Sequence, residues 1–262
     1  MHSRISSLLW VAVGSTFLIS LAAAQSSDDF EGLKAEVQAL RAGQLQMQTD
    51  LAEIRRLLEQ GARPAAPAAQ AFQPTDVEIG NSAVKGSKDA QITLIGFSDY
   101  QCPFCGRHAK TVLPELLENY VDSGIVKLVM RENPIQSIHP QATNASMAAL
   151  CAGEQGKYWE MHDILFSDQR RLTVPDLKEH AATLGLLEAP FATCLDGKKY
   201  ANQIRTDLAE GAKLGISGTP SFVLGLTNEN DPDKVRVTKY IRGAKPYATF
   251  EQAIDELLAS VE

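Results

Sequence analysis

Cysteine is scarce: four residues in a chain of 262, too few to hold a protein of this size together as a disulfide scaffold. Positive charge is in deficit as well. Lys and Arg number 25 against 32 Asp and Glu, a formal net charge of -7, which argues against nucleic-acid binding through a basic surface. Glycine (18) and proline (12) stand at ordinary levels and without period, so collagen-like and disordered classes are excluded. After the N-terminal segment no apolar run is long enough to cross a membrane. What is there is a globular composition, 44% hydrophobic and 22% charged, at a length that holds one good-sized domain or two small ones. Each of the four cysteines has to be explained by its spacing.

The chain opens with a short flank carrying Arg4 and continues into LLWVAVGSTFLISLAAA, with no acidic residue before Asp28. This is the pattern of a secretory signal over residues 1–24, and Ala22 and Ala24 ahead of Gln25 fit an A-x-A cleavage site. The alternative is an uncleaved anchor, since the run nears the ~20 apolar residues that span a bilayer. Export places the chain in the periplasm or another oxidising compartment, where paired cysteines persist.

Residues 25–60 follow as a stalk. Phe30, Leu33, Val37, Leu40, Met47, Leu51, Ile54 and Leu58 recur with alternating gaps of three and four, and only Gln44 interrupts them. That is a coiled-coil seam of about four heptads. With Phe30 at position a, Glu36 faces Arg41 and Asp50 faces Arg55 across a parallel homo-oligomer, dimer or trimer, through residues 29–60. Against this stand a helix folded back on its own domain and a half-formed helix, because Gly32 and Gly43 each cost ~1 kcal/mol of propensity. GARPAAPAAQAFQP, residues 61–74, is a Pro/Ala-rich linker, and a single domain of ordinary size fills 75–262.

In that domain QITLIGFS, residues 91–98, reads as a buried strand, and Arg107–Tyr120 carries apolar residues at helical spacing. Between them lies Asp99-Tyr100-Gln101-Cys102-Pro103-Phe104-Cys105. Cys102 therefore falls at a helix N-terminus, where unpaired amides and the helix dipole stabilise an anion, and a thiolate is such an anion. Pro103 suits the first turn because its missing N–H needs no partner. Cys102 is expected as an exposed nucleophile and Cys105 as the buried resolving thiol. A zinc site would require two further ligands, but Cys151 and Cys194 stand far apart and form no second C-x-x-C. An inert structural bond between Cys102 and Cys105 is the other alternative.

A second signal is Gly215-Ile216-Ser217-Gly218-Thr219-Pro220-Ser221-Phe222-Val223-Leu224-Gly225, a Thr-Pro pair directly before an apolar strand. Together, FSDYQCPFC and GISGTPSFVLG resemble the thioredoxin-fold thiol-disulfide oxidoreductases of the bacterial DsbA family, including ScsC-like members with an N-terminal oligomerising stalk. The resemblance covers about residues 75–262. It implies an α/β thioredoxin fold with an inserted helical domain, a cis Pro220 close to Cys102, and a substrate chain pairing with the backbone beside that proline. Pro103, Phe104, Thr219 and Pro220 would then be the substrate-binding residues. The residue pattern agrees with such a core: strands at 91–97, 125–130, 221–225 and 236–242, helices at 103–121 and 246–260, and a helical insertion over about 141–213. In an exported chain Cys151 and Cys194 pair with each other more readily than they stay free, the alternative being two buried thiols. Some relatives carry a second, non-catalytic disulfide at similar positions. Closing a loop of about 44 residues would contribute ~4 kcal/mol. His108 is expected on the surface, near enough to the helix start to affect the thiolate. Asp99 either shapes proton transfer or ends the strand.

The expected activity is thiol-disulfide exchange on protein substrates, with an unidentified redox partner, no metal and no organic cofactor. The stalk favours isomerase or reductase, because joined active sites raise the effective concentration at a held substrate. A monomeric-type dithiol oxidase, or a redox-inert thioredoxin-like binding module, is the alternative.

Overall fold

The computed structural model describes residues 9–60 and 72–261, with side chains over 30–56 and 72–261. Residues 1–8 of the expected signal and 61–71 of the expected linker lie outside the described residues. The chain divides into two units, residues 1–70 and 71–262.

In the first unit, helix α1 (Leu9–Gln60) runs without a break, and neither Gly32 nor Gly43 interrupts it. Its polar face is knitted by the exposed pairs Lys34–Glu31 at 3.3 Å and Arg56–Glu53 at 2.6 Å, each spanning one turn. The seam residues Phe30, Leu33, Val37, Leu40, Met47, Leu51 and Ile54 all lie open, between 40% and 74% exposed. Among the described residues no helix is long and apolar enough to cross a membrane.

The second unit is built on a six-stranded mixed sheet. Its strands are β1 (Thr75–Glu78), β2 (Ala83–Lys85), β3 (Ile92–Ser98), β4 (Val126–Glu132), β5 (Ser221–Asn228) and β6 (Asp231–Arg242), in the order β1-β6-β5-β3-β4-β2. Strands β3 and β4 are parallel, in register from Ile92 opposite Val126 to Ser98 opposite Glu132. Parallel neighbours require a crossover, here α2 (Pro103–Thr111), α3 (Leu113–Leu116) and a π turn (Leu117–Val121). β3, β4 and β5 coincide with the apolar runs of the sequence, whereas β6 starts at Asp231, five residues ahead of the expected 236, and is largely polar, with Val235, Val237 and Ile241 buried along it. The two short edge strands have no such run, with Val77 the one fully buried residue between them.

The helix expected over 103–121 is broken into three pieces, and Pro114 supplies the reason for the first break. It has no N–H to offer Lys110, and its ring crowds that carbonyl, so the chain departs from helical geometry at Val112 (φ -108°) before it restarts. Between β4 and β5 the chain forms α4 (Ala142–Gly153), α5 (Tyr158–Ser167), α6 (Val174–Thr183), α7 (Glu188–Asp196) and α8 (Ala201–Lys213), and α9 (Tyr247–Leu258) closes the domain.

Alternation along β3 splits the core in two. Ile92 and Leu94 pack with Leu128, Phe222, Leu224, Phe250 and Ile254 on the helix-rich face. Ile95 and Phe97 pack with Val129, Val223, Val235, Val237 and Leu214 on the other. Each such buried side chain contributes roughly 1.5–3 kcal/mol relative to exposure. A β-bulge at Leu224/Gly225 admits only glycine, since a Cβ on Gly225 would lie 1.9 Å from the Arg236 carbonyl oxygen. A buried ion pair braces the same unit. Arg131 meets Asp207 at 2.6 Å, Arg131 also donates to the Glu78 carbonyl, and Asp207 accepts the Glu132 N–H at 3.1 Å. The pair ties β4 to α8 and β1. Burial pushes the Asp207 carboxyl up, against the pull of Arg131.

Candidate active site

β3 delivers the chain at its C-terminal end to a turn that one side chain organises. Asp99, fully buried, accepts the Gln101 N–H (2.8 Å) and the Cys102 N–H (3.2 Å) on Oδ1. Its Oδ2 accepts the Ile135 N–H at 2.8 Å and is paired with His139 Nδ1 at 2.8 Å. The Cys102 N–H is shared with the Asp99 carbonyl at 3.1 Å. From just beyond α5, Gln169 Nε2 donates to the carbonyls of Tyr100 and Cys102, both at 2.8 Å. Gly106 leaves room for that amide: a Cβ there would stand 2.1 Å from Gln169 Oε1. The turn is thus held from both sides by the helical insertion and the segment leading into it.

Cys102 is the N-cap of α2 and Pro103 its first residue. Cys102 and Cys105 are both free thiols. Across from them Thr219, joined to Pro220 by a cis peptide bond, brings its carbonyl oxygen to 3.5 Å from Cys102 Sγ. The Cys105 thiol beside Cys102 is the largest influence and outweighs desolvation, the amides of Cys105 and Phe104 add to it, and the Cys102 thiol is held down to about 5. Cys105 moves the opposite way, pushed far up by burial and by the neighbouring sulfur. One sulfur is set to be a thiolate and the other a thiol. The expected exposure of Cys102 is corrected: only 4% of the residue is open, because the Thr219–Pro220 segment lies over it. Its neighbour Phe104 is 55% exposed, with the Arg107 guanidinium 5.1 Å from its ring, so an exposed apolar ring capped by a cation flanks the sulfur.

His108 is not at the surface. It is buried between Phe222 and Phe250, ring centroids 4.4 and 5.3 Å away, and desolvation pulls its pKa down to about 4. A neutral ring there packs as an aromatic and adds no charge near Cys102 at neutral pH. Cys151 on α4 and Cys194 on α7 are bonded to each other, S–S 2.01 Å, within the insertion and apart from the dithiol. Among the described residues no cluster of three or more His, Cys, Asp or Glu side chains is placed to hold a metal.

Two polar residues near the site carried no signal in the sequence. His139 reaches Asp99 from 40 residues away. Glu132, at the end of β4, is buried and accepts the Tyr158 hydroxyl at 2.7 Å, and Tyr100 donates to Tyr158 at 3.3 Å. Burial pushes the Glu132 carboxyl up to about 8. Both pairings are tertiary, and the only local clue was the Asp99 that precedes the motif.

A dithiol at the start of the helix that follows a central parallel strand, faced by a Thr-Pro turn before an antiparallel strand, defines the thioredoxin fold. The family model described as Thioredoxin (Thioredoxin_4) matches residues 78–255, and the chain belongs to that family. Among solved structures it is similar to alpha-DsbA1 of Wolbachia pipientis, with TM-score 0.59 and 24% identity over 70% of this chain and 96% of that one. A thioredoxin-like oxidoreductase from Silicibacter pomeroyi aligns with TM-score 0.57 and 26% identity, covering 68% and 92%. Among curated proteins the chain is 35% identical over 156 residues to Na(+)/H(+) antiporter NhaA 3 of Salinispora tropica. That match takes in 60% of this chain and only 23% of the antiporter.

Proposed function

We propose that the protein is an exported thiol-disulfide oxidoreductase acting on protein substrates through Cys102 and Cys105. The observation that carries this reading is the opposed pair of sulfurs at the α2 N-terminus, Cys102 held down and Cys105 pushed up. The Cys102 thiolate attacks one sulfur of a substrate disulfide, forming a mixed disulfide and expelling the other substrate sulfur as a thiolate. Cys105 then gives up its proton, attacks Cys102, and releases the second substrate thiolate. Two electrons pass to the substrate and the Cys102–Cys105 disulfide forms. Run in reverse, the same steps oxidise a substrate dithiol; without net transfer they isomerise. No metal or organic cofactor enters these steps.

Phe104 offers an apolar contact beside the sulfur, and the backbone around Thr219 and Pro220 is where the substrate chain would pair. The 35%-identical antiporter region does not extend the reading to ion transport, because the chain spans under a quarter of that protein. The open seam on α1 supports assembly of like chains as a dimer or trimer, and joined sites favour isomerase or reductase work. The N-terminal pattern of signal and A-x-A site supports export.

The test is a trap. A C105S variant incubated with a protein disulfide accumulates a covalent complex through Cys102, seen as a mass increase that dithiothreitol removes. Light scattering of the same chain gives a multiple of the monomer mass, lost when residues 25–60 are deleted. Absence of the mixed disulfide would sink the enzymatic reading and favour a redox-inert binding module.

A further inference from the structure

The segment between β4 and α4 meets the redox turn at two side chains: Gln101 Oε1 accepts the Gln141 N–H at 2.8 Å, and Asp99 Oδ2 takes two contacts from donors whose positions are fixed. Ile135 N–H and His139 Nδ1 meet on Asp99 Oδ2, each at 2.8 Å. The His139 backbone is itself anchored: its N–H donates to the Ile135 carbonyl at 2.9 Å, and its carbonyl accepts the N–H of Ala142, the first residue of α4, at 3.1 Å. With Oδ2 clamped, the carboxylate cannot rotate, and Oδ1 is left aimed at the amides of Gln101 and Cys102. That orientation sets how α2 begins, and so how the amides of Phe104 and Cys105 face Cys102 Sγ.

Resting on the proposal that Cys102 is the nucleophile, we infer that His139 is a positioning residue for it, acting through Asp99 on the stability of the Cys102 thiolate. Two physical effects run in the same direction. Without the imidazole, Asp99 Oδ2 loses one of its two donors, the carboxylate turns, and the amides that stabilise the thiolate go out of line. Asp99 is also fully buried, and a carboxylate with one donor fewer presents more of its negative charge to a sulfur only three residues along the same turn. Both make the thiolate harder to form. Neither effect is visible in the sequence, where His139 shares no spacing with the C-x-x-C.

The experiment uses the full chain, reduced, and reads the Cys102 pKa from the pH dependence of alkylation, together with the equilibrium constant against glutathione. H139A raises the Cys102 pKa by roughly 0.5–1 unit, and the glutathione equilibrium moves toward the disulfide form by ~3–10-fold, a unit being a factor of ten. H139N restores both, because its amide nitrogen can donate from nearly the place of Nδ1. H139F keeps a ring without a donor and behaves as H139A does, which covers the case in which the alanine variant folds poorly. In a D99A background H139A adds no further shift. A folded H139A or H139F that titrates as the wild type does, or an equal added shift in the absence of Asp99, overturns the inference alone. A wild-type Cys102 that titrates as an ordinary thiol overturns the redox-pair reading first, and the two failures are told apart by that control.

Discussion

Replacing Cys102 with serine lowers disulfide exchange by at least ~10³-fold while the domain stays folded, the scale expected when a covalent nucleophile is removed. A hydroxyl cannot form the mixed disulfide, and Cys105 cannot substitute for it. Cys105 is 1% exposed and its thiol is pushed up by burial, so at neutral pH it offers neither access nor thiolate. Reduction of a protein disulfide, followed by the appearance of free thiols, measures the loss, and near-UV circular dichroism checks the fold. Serine is close to cysteine in shape, and its hydroxyl can still donate to the Thr219 carbonyl that lies 3.5 Å from the sulfur, so the exchange costs little in packing. A C102S protein that still exchanged at a comparable rate would remove Cys102 from the chemistry.

Replacing Asp207 with alanine costs about 3–5 kcal/mol of stability, the amount that removal of one partner from a buried ion pair typically costs. What is left behind dominates the loss. Arg131 is 6% exposed and would keep its charge without a carboxylate, and the Glu132 N–H would lose its acceptor in the same step. Replacing both members with apolar residues of similar volume, R131M with D207L, recovers most of the loss, since the pair's attraction is largely offset by its desolvation. Urea unfolding of the single variant, the double variant and the wild type gives the comparison. A D207A midpoint close to the wild type would mean that Arg131 gains hydration as good as the carboxylate and would contradict the assignment of the pair as buried.

Much of the fold can be read along the chain because burial and periodicity coincide in it. β3 to β5 are apolar runs between turn residues, β6 is marked by Val235, Val237 and Ile241, α9 has a regular apolar stripe, and Cys102-Pro103-Phe104-Cys105 marks its own place on a strand-to-helix turn. The rest depends on partners distant in sequence. β1 and β2 are short because each is an edge strand that needs only one neighbour, β6 and β4 respectively, and so neither shows an apolar run. His108 lies on the same buried side of α2 as Cys105 and Gly106, but a lone histidine on a polar helix gives no hint that Phe222 and Phe250 will enclose it. Cys102 reads as exposed until the Thr219–Pro220 segment, 117 residues on, is laid over it. Pro114 was the one local signal available for the break after α2, and its missing N–H decides the matter.

This fold keeps Cys102 as a thiolate at neutral pH, and the most direct test is the rate at which the reduced protein is alkylated by iodoacetamide at Cys102 as a function of pH. The thiol is lowered from 9.0 to about 5, so the rate should stay level from pH 9 down to about 6 and fall to half near pH 5. Linkage gives the matching sign in stability: the thiolate's contribution to the reduced fold is complete above pH 9 and is lost as pH falls through about 5. An alkylation profile with its midpoint near 9, rising through the neutral range as a free thiol's does, would contradict the account.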